Sequence, residues 1–489
     1  MSINWDGIKA AKRLELESSE PSGFKTLRLR FEVPLSHSDP AGSVAITIHA
    51  DLVYGAGPDA NDGNGIGHFG HSTAETILES ILCPSRASLC LYLCGGPGDG
   101  NPASKNPDLT RELLSRFGPV LYVDYRGTGK SSAITKDTLA TKTAEEAAWY
   151  LSQFRQDSIA ADLEGIRKSL GGRVRFVLVA QSFGGWIAMT YLSYLPESLA
   201  EVWLFGGMPP MGNTPEQVYR ALYRRLVRIN QEYYSRYPED KARVMRIVER
   251  LSSTDDGRGL LISEETGERL SCRGFLTMGR HFGGEDGFKT VHSLVERFSK
   301  DADAGGFSSG TIRSFRGRNG TGFKLPQRPL YGAVHEAIYC FGPGVASNWA
   351  AQRVGRDQAG GNFAWLGRNF RFEFPFPDQV EPLSFSAEMI FDFMLHDAGS
   401  ELGPFVKAAE ILARKEDWPA LYDLDALGRN TVPVRALMYP ADLYVDFELS
   451  TIAAAGVSNC RAIPAPERWL HGSVKTNPKE VFEFLATMA

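Results

Sequence analysis

The sequence predicts an α/β protein whose mostly parallel central sheet has helices on both faces and a large, mainly helical insertion in its second half. Three short apolar runs, at 88–93, 120–123 and 174–179, each end in a turn that contains Gly or Ser, as buried strands do. Helical periodicity, as at 158–170, fills the intervals between them. Strands that alternate with helices favour a parallel sheet.

The strand pattern begins near the amino terminus and returns near the carboxyl terminus. Residues 26–33 and 44–53 alternate around a Pro/Ser/His/Asp turn, which predicts an antiparallel ribbon. Two late strands are expected at 433–439 and 461–463. The last helix follows Asn477-Pro478, which is typical of an N-cap and a first helical residue.

The middle of the chain changes character after Gly206-Gly207-Met208. Amphipathic stretches such as 216–251 and further helical pattern continue to about residue 425. We therefore expect a sheet domain formed by residues 1–207 and 426–489, and a mainly helical cap formed by 208–425. Residues 55–72, rich in Gly, Asn and Asp, predict a loop.

Composition argues against several classes of function. The 489 residues include 53 basic and 58 acidic side chains, a net charge of -5, with no basic run that could follow a phosphate backbone. We expect no nucleic acid partner. A signal-peptide pattern and runs of about 18 apolar residues are both missing from the sequence. A cytoplasmic protein without membrane contact is the expectation, and a homo-oligomer is left open.

Metal chemistry is not expected. His68 and His71 precede Cys83, Cys90 and Cys94, but their spacings match no zinc pattern. Cys90 and Cys94 fall on the same side of an apolar strand-like run, which predicts buried thiols. No other cofactor is required by the chemistry considered below.

Two glycine-rich segments resemble nucleotide-binding loops only loosely. The segment 98–103 has glycines at roughly dinucleotide-turn spacing, but two prolines crowd it and no helical pattern follows at once. Gly129-Lys130-Ser131 is similar to the end of a phosphate loop, yet Asp124 occupies the position that requires the first glycine. Neither segment predicts a nucleotide site.

The strongest chemical signal is a serine between a strand and a helix. Residues 175–180 are strand-like, Gln181-Ser182-Phe183-Gly184-Gly185 predicts a sharp turn, and 186–195 are helical. This is the context of the nucleophile elbow of the α/β-hydrolase fold, with small residues, Ala180 and Gly184, on either side of the serine. The alternative is a Gly/Ser turn without chemistry.

A glycine loop after an earlier strand, Cys94-Gly95-Gly96-Pro97-Gly98, could supply a second part of the same site. Bare backbone N–H groups there can face an oxyanion, so Gly96 or its neighbour Gly95 is expected to complete an oxyanion hole with the Phe183 amide.

An acid and a histidine follow in the order that this fold requires. The late strand leads into Asp442 and Asp446; Asp442 lies nearer the strand end, whereas Asp446 suits the N-cap of a helix near Phe447. We favour Asp442. Of nine histidines, only His471 follows both acids. Acyl transfer is the predicted chemistry, with Ser182 as nucleophile, His471 as base and Asp442 orienting the imidazole.

Several segments resemble those of the proline iminopeptidases, α/β-hydrolases that remove an N-terminal proline. The similar segments, in order, are Phe31-Glu-Val-Pro-Leu35, Gly95-Gly-Pro-Gly98, Asp124-Tyr-Arg-Gly-Thr-Gly-Lys-Ser131, Gln181-Ser-Phe-Gly-Gly185, Gly206-Gly-Met-Pro-Pro210, His335-Glu-Ala-Ile-Tyr339, Ser347-Asn-Trp-Ala-Ala351 and Asp442-Leu-Tyr-Val-Asp446.

The resemblance implies that Ser182, Asp442 and His471 occupy the triad positions. It also implies that Glu336 is the cap carboxylate that holds the free amino terminus of the substrate; an exposed helix residue is the alternative for Glu336, and Glu388 is a weaker second candidate. The expected substrate is a peptide or a small amide or ester. Ala180, Tyr125 and Cys94 depart from the usual residues of the family.

Three functions remain for the sequence. The first is an aminopeptidase that releases N-terminal proline or a small residue. The second is an esterase, lactonase or amidase on the same scaffold, and the third is a non-catalytic binding protein, because a fold alone does not fix function.

Overall fold

The computed structural model describes residues 2–20, 23–56, 72–83, 87–253, 260–262, 269–316, 325, 328–358, 361–368, 370–372, 374, 382–397 and 402–487. Residues 57–71 of the predicted loop, including His68 and His71, lie outside the described residues.

The described residues form eleven strands. They are β1 (Lys12–Ser19), β2 (Phe24–Pro34), β3 (Ala45–Ala56), β4 (Ser88–Leu93), β5 (Val120–Asp124), β6 (Arg175–Gln181), β7 (Leu199–Phe205), β8 (Leu260–Ile262), β9 (Arg269–Ser271), β10 (Val434–Met438) and β11 (Cys460–Pro464).

The α-helices fall into three groups along the chain. Before the insertion they are α1 (Ala74–Ile81), α2 (Pro107–Phe117), α3 (Lys136–Leu139), α4 (Ala144–Ser152), α5 (Gln156–Ser169) and α6 (Phe183–Tyr194). Between β7 and β10 they are α7 (Pro215–Arg236), α8 (Asp240–Ser252), α9 (Cys272–Leu276), α10 (Gly287–Asp303), α11 (Ser309–Arg316), α12 (Pro329–Val334), α13 (Ala350–Arg356), α14 (Asp392–Asp397), α15 (Gly403–Arg414) and α16 (Leu424–Leu427). The last are α17 (Phe447–Ala455), α18 (Ser473–Thr476) and α19 (Pro478–Thr487).

Nine strands form one sheet in the order β1-β2-β3-β5-β4-β6-β7-β10-β11. The pairings from β5 to β11 are parallel, and those of β1, β2 and β3 are antiparallel. The predicted ribbon and the mostly parallel sheet are therefore confirmed. Two strands were missed: β1, whose side chains are mostly exposed, and β7, which runs directly into Gly206.

Helices cover both faces of the sheet. Phe176 of β6 packs on Tyr191 of α6, with ring centroids 6.4 Å apart. Trp203 and Phe205 of β7 pack from the other face on Phe482 of α19, at 5.7 and 4.7 Å. The aromatic rings thus bind one helix layer to each face of the sheet.

The insertion between β7 and β10 is mainly helical, as predicted, and adds the small antiparallel pair β8-β9. Its division from the sheet domain at residues 208 and 425 stays a prediction. Among the described residues, no helix combines the length and apolar character needed to cross a bilayer.

The register of the sheet brings several loops to one edge. Leu93, the last residue of β4, pairs with Ala180, and Gln181, the last residue of β6, pairs with Phe205. Leu437 near the end of β10 also pairs with Phe205. The residues that follow these carboxyl ends are therefore neighbours in space, which is where ligands bind in open parallel sheets.

A buried ion pair fixes the loop that follows β5. The Arg126 guanidinium donates to both Asp162 oxygens, at 2.7 and 2.6 Å, and to the carbonyls of Leu35 and Gln153. Burial alone would raise the pKa of Asp162, but Arg126 and His37 hold it below its usual value. The charges neutralise each other within the fold.

We predict that Arg126→Leu lowers the free energy of unfolding by about 3–5 kcal/mol, because Asp162 would remain buried without its guanidinium. Urea denaturation at pH 7 measures this loss. The control Arg414→Leu removes an exposed ion pair with Glu410 and should cost less than about 1 kcal/mol. Equal losses in the two variants would contradict the prediction.

Candidate active site

Ser182 stands on a strained turn between β6 and α6. Its backbone has φ 54° and ψ -128°, a region that non-glycine residues rarely adopt. The Ser182 N–H donates to the Phe205 carbonyl at 3.2 Å, and α6 begins at the next residue. The strand, turn and helix of the predicted elbow are therefore present, and strain of this kind is typical of functional sites.

The turn depends on close contact between backbones. A Cβ at Gly184 would overlap the Leu93 carbonyl oxygen, and one at Gly185 would overlap the Gly207 carbonyl oxygen. Glycine is therefore required at both positions. Ala180, which replaces the family's usual glycine, is fully buried, so its single methyl group is accommodated here.

Asp442 and His471 contact each other directly. His471 Nδ1 lies 2.7 Å from Asp442 Oδ2, and both side chains are buried. The other carboxylate oxygen, Oδ1, accepts from the amides of Tyr444 and Val445 at 2.8 and 3.1 Å. Asp442 is thus fixed by backbone N–H groups and faces the imidazole with its remaining oxygen.

The two candidate acids have different environments. Asp446 Oδ1 accepts from the Leu449 amide at 2.9 Å and caps α17, as the sequence predicted. Asp442 is the acid that contacts the histidine. The assignment of Asp442 as the catalytic acid stays a prediction.

His471 lies next to the turn that contains Ser182. A side chain at Gly206 would approach His471 Nδ1 to 2.9 Å, and Gly206 directly follows the residue whose carbonyl binds the Ser182 amide. Gln181, which precedes Ser182, donates to the His471 carbonyl at 3.5 Å. The Tyr444 ring packs on the imidazole at 4.8 Å. Serine, histidine and acid therefore share one edge of the sheet.

The glycine loop after β4 faces the same serine. A Cβ at Gly95 would lie 3.4 Å from Ser182 Oγ. The Tyr125 hydroxyl donates to the Cys94 carbonyl at 3.1 Å, and its ring packs against Phe183. Tyr125, which replaces the family's usual glutamine, thus braces both segments that hold the predicted oxyanion donors.

The segment with the phosphate-loop resemblance contains a structural carboxylate. Asp124 Oδ2 accepts from the Lys130 amide at 2.8 Å, and Oδ1 accepts from the Asn101 amide at 2.6 Å. A Cβ at Gly129 would overlap this carboxylate. The carboxylate therefore occupies the place that a phosphate would need.

Glu336 is buried and bound to the start of α13. Its Oε2 accepts from the Ala350 amide at 3.1 Å and its Oε1 from the Ala351 amide at 2.9 Å. The similar segment 347–351 therefore supplies the partners of Glu336. Burial raises the pKa of Glu336 to about 7, although these amides favour the charged form. An exposed helix residue, the alternative for Glu336, is excluded.

Glu388 is a second carboxylate, closer to the histidine. Burial raises its pKa, while the Tyr331 hydroxyl and the charges of His471 and Arg280 act in the opposite direction. Burial raises the pKa of the Tyr339 phenol, and the charges of Glu388, Glu336 and Asp442 raise it further. The three carboxylates therefore surround one tyrosine.

Tyr331, Tyr339, Tyr444 and Arg280 were not predicted as site residues. Tyr339 ends a segment that the sequence analysis quoted, so the signal was present for this residue. Tyr444 likewise lies in the quoted segment 442–446. Tyr331 and Arg280 come from the insertion, and their approach to the sheet edge depends on how the insertion packs.

The six cysteines are free thiols, and one further acidic cluster lies in the insertion. Cys90 and Cys94 are free and buried, as predicted. In the described part of the chain, the one group of three side chains close enough to share a metal ion is Glu239, Asp240 and His292. Arg243 Nη1 already lies 3.0 Å from Asp240 Oδ1 there.

Comparison with known proteins identifies relatives that share this fold. Residues 91–249 match the family model described as the alpha/beta hydrolase fold. A proline iminopeptidase from Aeromonas sobria is 32% identical over 93% of this chain and 94% of its own length.

Proline iminopeptidase aneH from Aspergillus aculeatus is 31% identical over 98% of this chain and 97% of its own length. Identity at this level extends through both the sheet and the helical insertion. The chain belongs to the proline iminopeptidase family of α/β-hydrolases.

Proposed function

We propose that the protein is a serine aminopeptidase that hydrolyses the amide bond after an N-terminal proline or small residue. The observation that carries this proposal is the 2.7 Å contact between His471 Nδ1 and Asp442 Oδ2 beside the strained turn of Ser182. The two proline iminopeptidases that match nearly the whole chain support a peptidase over an esterase, a lactonase or a binding protein. Cytoplasmic localisation stays a prediction, and homo-oligomer formation stays an open alternative.

The first step is attack by Ser182. Because a carboxylate can only accept, His471 Nδ1 donates to Asp442, which leaves Nε2 unprotonated. Nε2 takes the proton from Ser182 Oγ while Oγ forms a bond to the scissile carbonyl carbon. Asp442 keeps its charge and stabilises the imidazolium that results.

The second step breaks the amide bond. The tetrahedral oxyanion binds the amides of Phe183 and Gly96, with Gly95 as the neighbouring donor. His471 then gives its proton to the leaving amine, and the amine departs. Water, deprotonated by the same nitrogen, attacks the acyl-enzyme and releases the amino acid together with free Ser182.

The free amino group of the substrate needs a negative partner in an enclosed site. Glu336 and Glu388 both have raised pKa values because burial disfavours their charged forms. An ammonium group bound between them would compensate for the hydration that the two carboxylates lose on burial, and it would favour their charged forms. The proposed role of Glu336, to bind the amino group, is argued from this requirement and from the family resemblance. Glu388, which lies closer to His471, would contribute a second negative charge to the same group.

We predict that Ser182→Ala lowers kcat for prolyl-arylamide hydrolysis by about 10⁴-fold or more, since the nucleophile is removed. Ser193→Ala is the matched control: Ser193 lies near the far end of α6, is buried and donates to the Thr190 carbonyl. It should retain most of the activity. A fluorophosphonate should label the wild type and the control but not Ser182→Ala; labelling of all three would refute the assignment.

We predict that the enzyme cleaves prolyl amides and leaves N-acetylprolyl amides nearly untouched. Glu336→Gln and Glu388→Gln should each lower kcat/KM for the free amine by roughly 30-fold, the factor that corresponds to loss of about 2 kcal/mol of a charge-assisted hydrogen bond. The small activity on the acetylated substrate should not change. Equal hydrolysis of both substrates by the wild type would exclude amine recognition.

We predict that an amine without a scissile bond, such as prolinol, binds about tenfold more weakly at pH 6 than at pH 8. Since the pKa of Glu336 is raised to about 7, its carboxyl group is mostly neutral at pH 6 and mostly charged at pH 8. Calorimetric titration across this range measures the effect. Glu336→Gln should lose the change centred near pH 7; the same pH dependence in the variant would show that another group causes it.

A further inference from the structure

Gln156, at the start of α5, reaches from the sheet domain to the short turn that carries Glu336. Its side chain is fully buried. The amide Nε2 donates to the Ile338 carbonyl at 3.0 Å, two residues after Glu336. The same helix α5 packs along α6, whose first residue follows Ser182.

Arg155, the preceding residue, makes a second connection. Its Nη1 donates to the Cys340 carbonyl at 2.7 Å, and Nη2 donates to the Pro419 carbonyl at 3.0 Å. Asp157 neutralises the guanidinium at 2.8 Å, and Trp418 lies under it at 4.5 Å. Arg155 therefore supports both the turn and a neighbouring stretch of the insertion.

The turn itself is a single 3-10 turn, Glu336–Tyr339, with few bonds of its own. Within and beside the turn, the Cys340 amide donates to the Ala337 carbonyl at 3.2 Å, and the Ile338 amide donates to the His335 carbonyl at 3.4 Å. External bonds must therefore set its position. Glu336 is bound to α13 on one side, and the start of α5 binds the other side.

We propose that Gln156, assisted by Arg155, is a positioning residue for amine recognition: it sets where Glu336 stands relative to Ser182. The inference rests on the proposed function. A chain of contacts links the two groups: Ser182 precedes α6, α6 packs on α5, and the amide of Gln156 in α5 binds the turn that carries Glu336. Gln156 thus influences substrate selectivity indirectly, through the position of Glu336.

Asn230 binds the backbone near Glu388 in a comparable way. Its Nδ2 donates to the Phe385 carbonyl at 2.9 Å, and its Oδ1 accepts from the Phe385 amide at 2.8 Å. Phe385 lies three residues before Glu388. Different buried side-chain amides bind the backbone near Glu336 and near Glu388. The contributions of the two carboxylates to amine binding can therefore be separated by mutation.

The test compares Gln156→Met, Asn230→Leu and Asn430→Leu in the full chain. Methionine keeps the volume of Gln156 and removes its donor. Asn430→Leu is the control: Asn430 is a buried amide bonded to the carbonyls of Val432 and Ser458, away from both carboxylates. The readouts are KM and kcat on prolyl and N-acetylprolyl arylamides, the pH dependence of prolinol binding, and urea denaturation.

For Gln156→Met we expect KM for the prolyl substrate to rise fivefold or more, with kcat within twofold of the wild type. The midpoint of the pH dependence of prolinol binding should shift, because the surroundings of Glu336 change. Asn430→Leu should lose similar stability without either effect. If Gln156→Met does not fold, Gln156→Leu, which also removes the donor and buries no charge, replaces it.

Unchanged KM and unchanged midpoint in Gln156→Met would overturn the proposal, as would equal increases of KM on both substrates. An effect in Asn230→Leu alone would show that Glu388 holds the amine without Glu336; the positioning role of Gln156 would then fail while the aminopeptidase proposal stands. A wild type that does not distinguish the two substrates would instead refute the proposed function itself.

Discussion

The close contact of α6 with the backbones beside it is the constraint on which the rest of the site depends. Gly184 packs against the Leu93 carbonyl and Gly185 against the Gly207 carbonyl, with no room for a side chain at either position. This close approach lets the helix begin directly above the sheet edge. Only then can Ser182 adopt its positive φ with its amide on Phe205. The glycine loop after β4 and His471 beside Gly206 are arranged around this turn, and a bulkier residue at Gly184 or Gly185 would displace them together.

Buried charges in the molecule are of two kinds. Asp162 has Arg126 and His37 beside it and a lowered pKa, so its charge is balanced within the chain and contributes to a rigid framework. Glu336 has backbone amides and a raised pKa. A carboxylate of the first kind already has a positive partner in the free protein. A carboxylate of the second kind lacks one among its bonded partners, so a bound cation would stabilise its charged form. This difference in electrostatics separates structural carboxylates from those suited to binding.

Much of this arrangement could be predicted from sequence because it depends on local patterns. The elbow, the order of Ser182, Asp442 and His471, and the capping role of Asp446 all follow from residue type and position along the chain. The strand β7 was missed because its apolar run merges with the Gly206 segment. The strand β1 was missed because most of its side chains are exposed and half of them are charged. The surroundings of Glu388, and the bonds of Gln156 to Ile338, depend on how distant segments pack, which periodicity does not contain.

The edge strand β1 has a consequence for the behaviour of the molecule in concentrated solution. An open sheet edge is a template on which another chain can add a strand, the route to aggregation. Here Lys12, Arg13 and Glu15 line that edge and pair with Glu32, Glu75 and Arg30. A second sheet approaching this side would have to remove water from these charges, so the strand that adds little to the core disfavours self-association through its own edge.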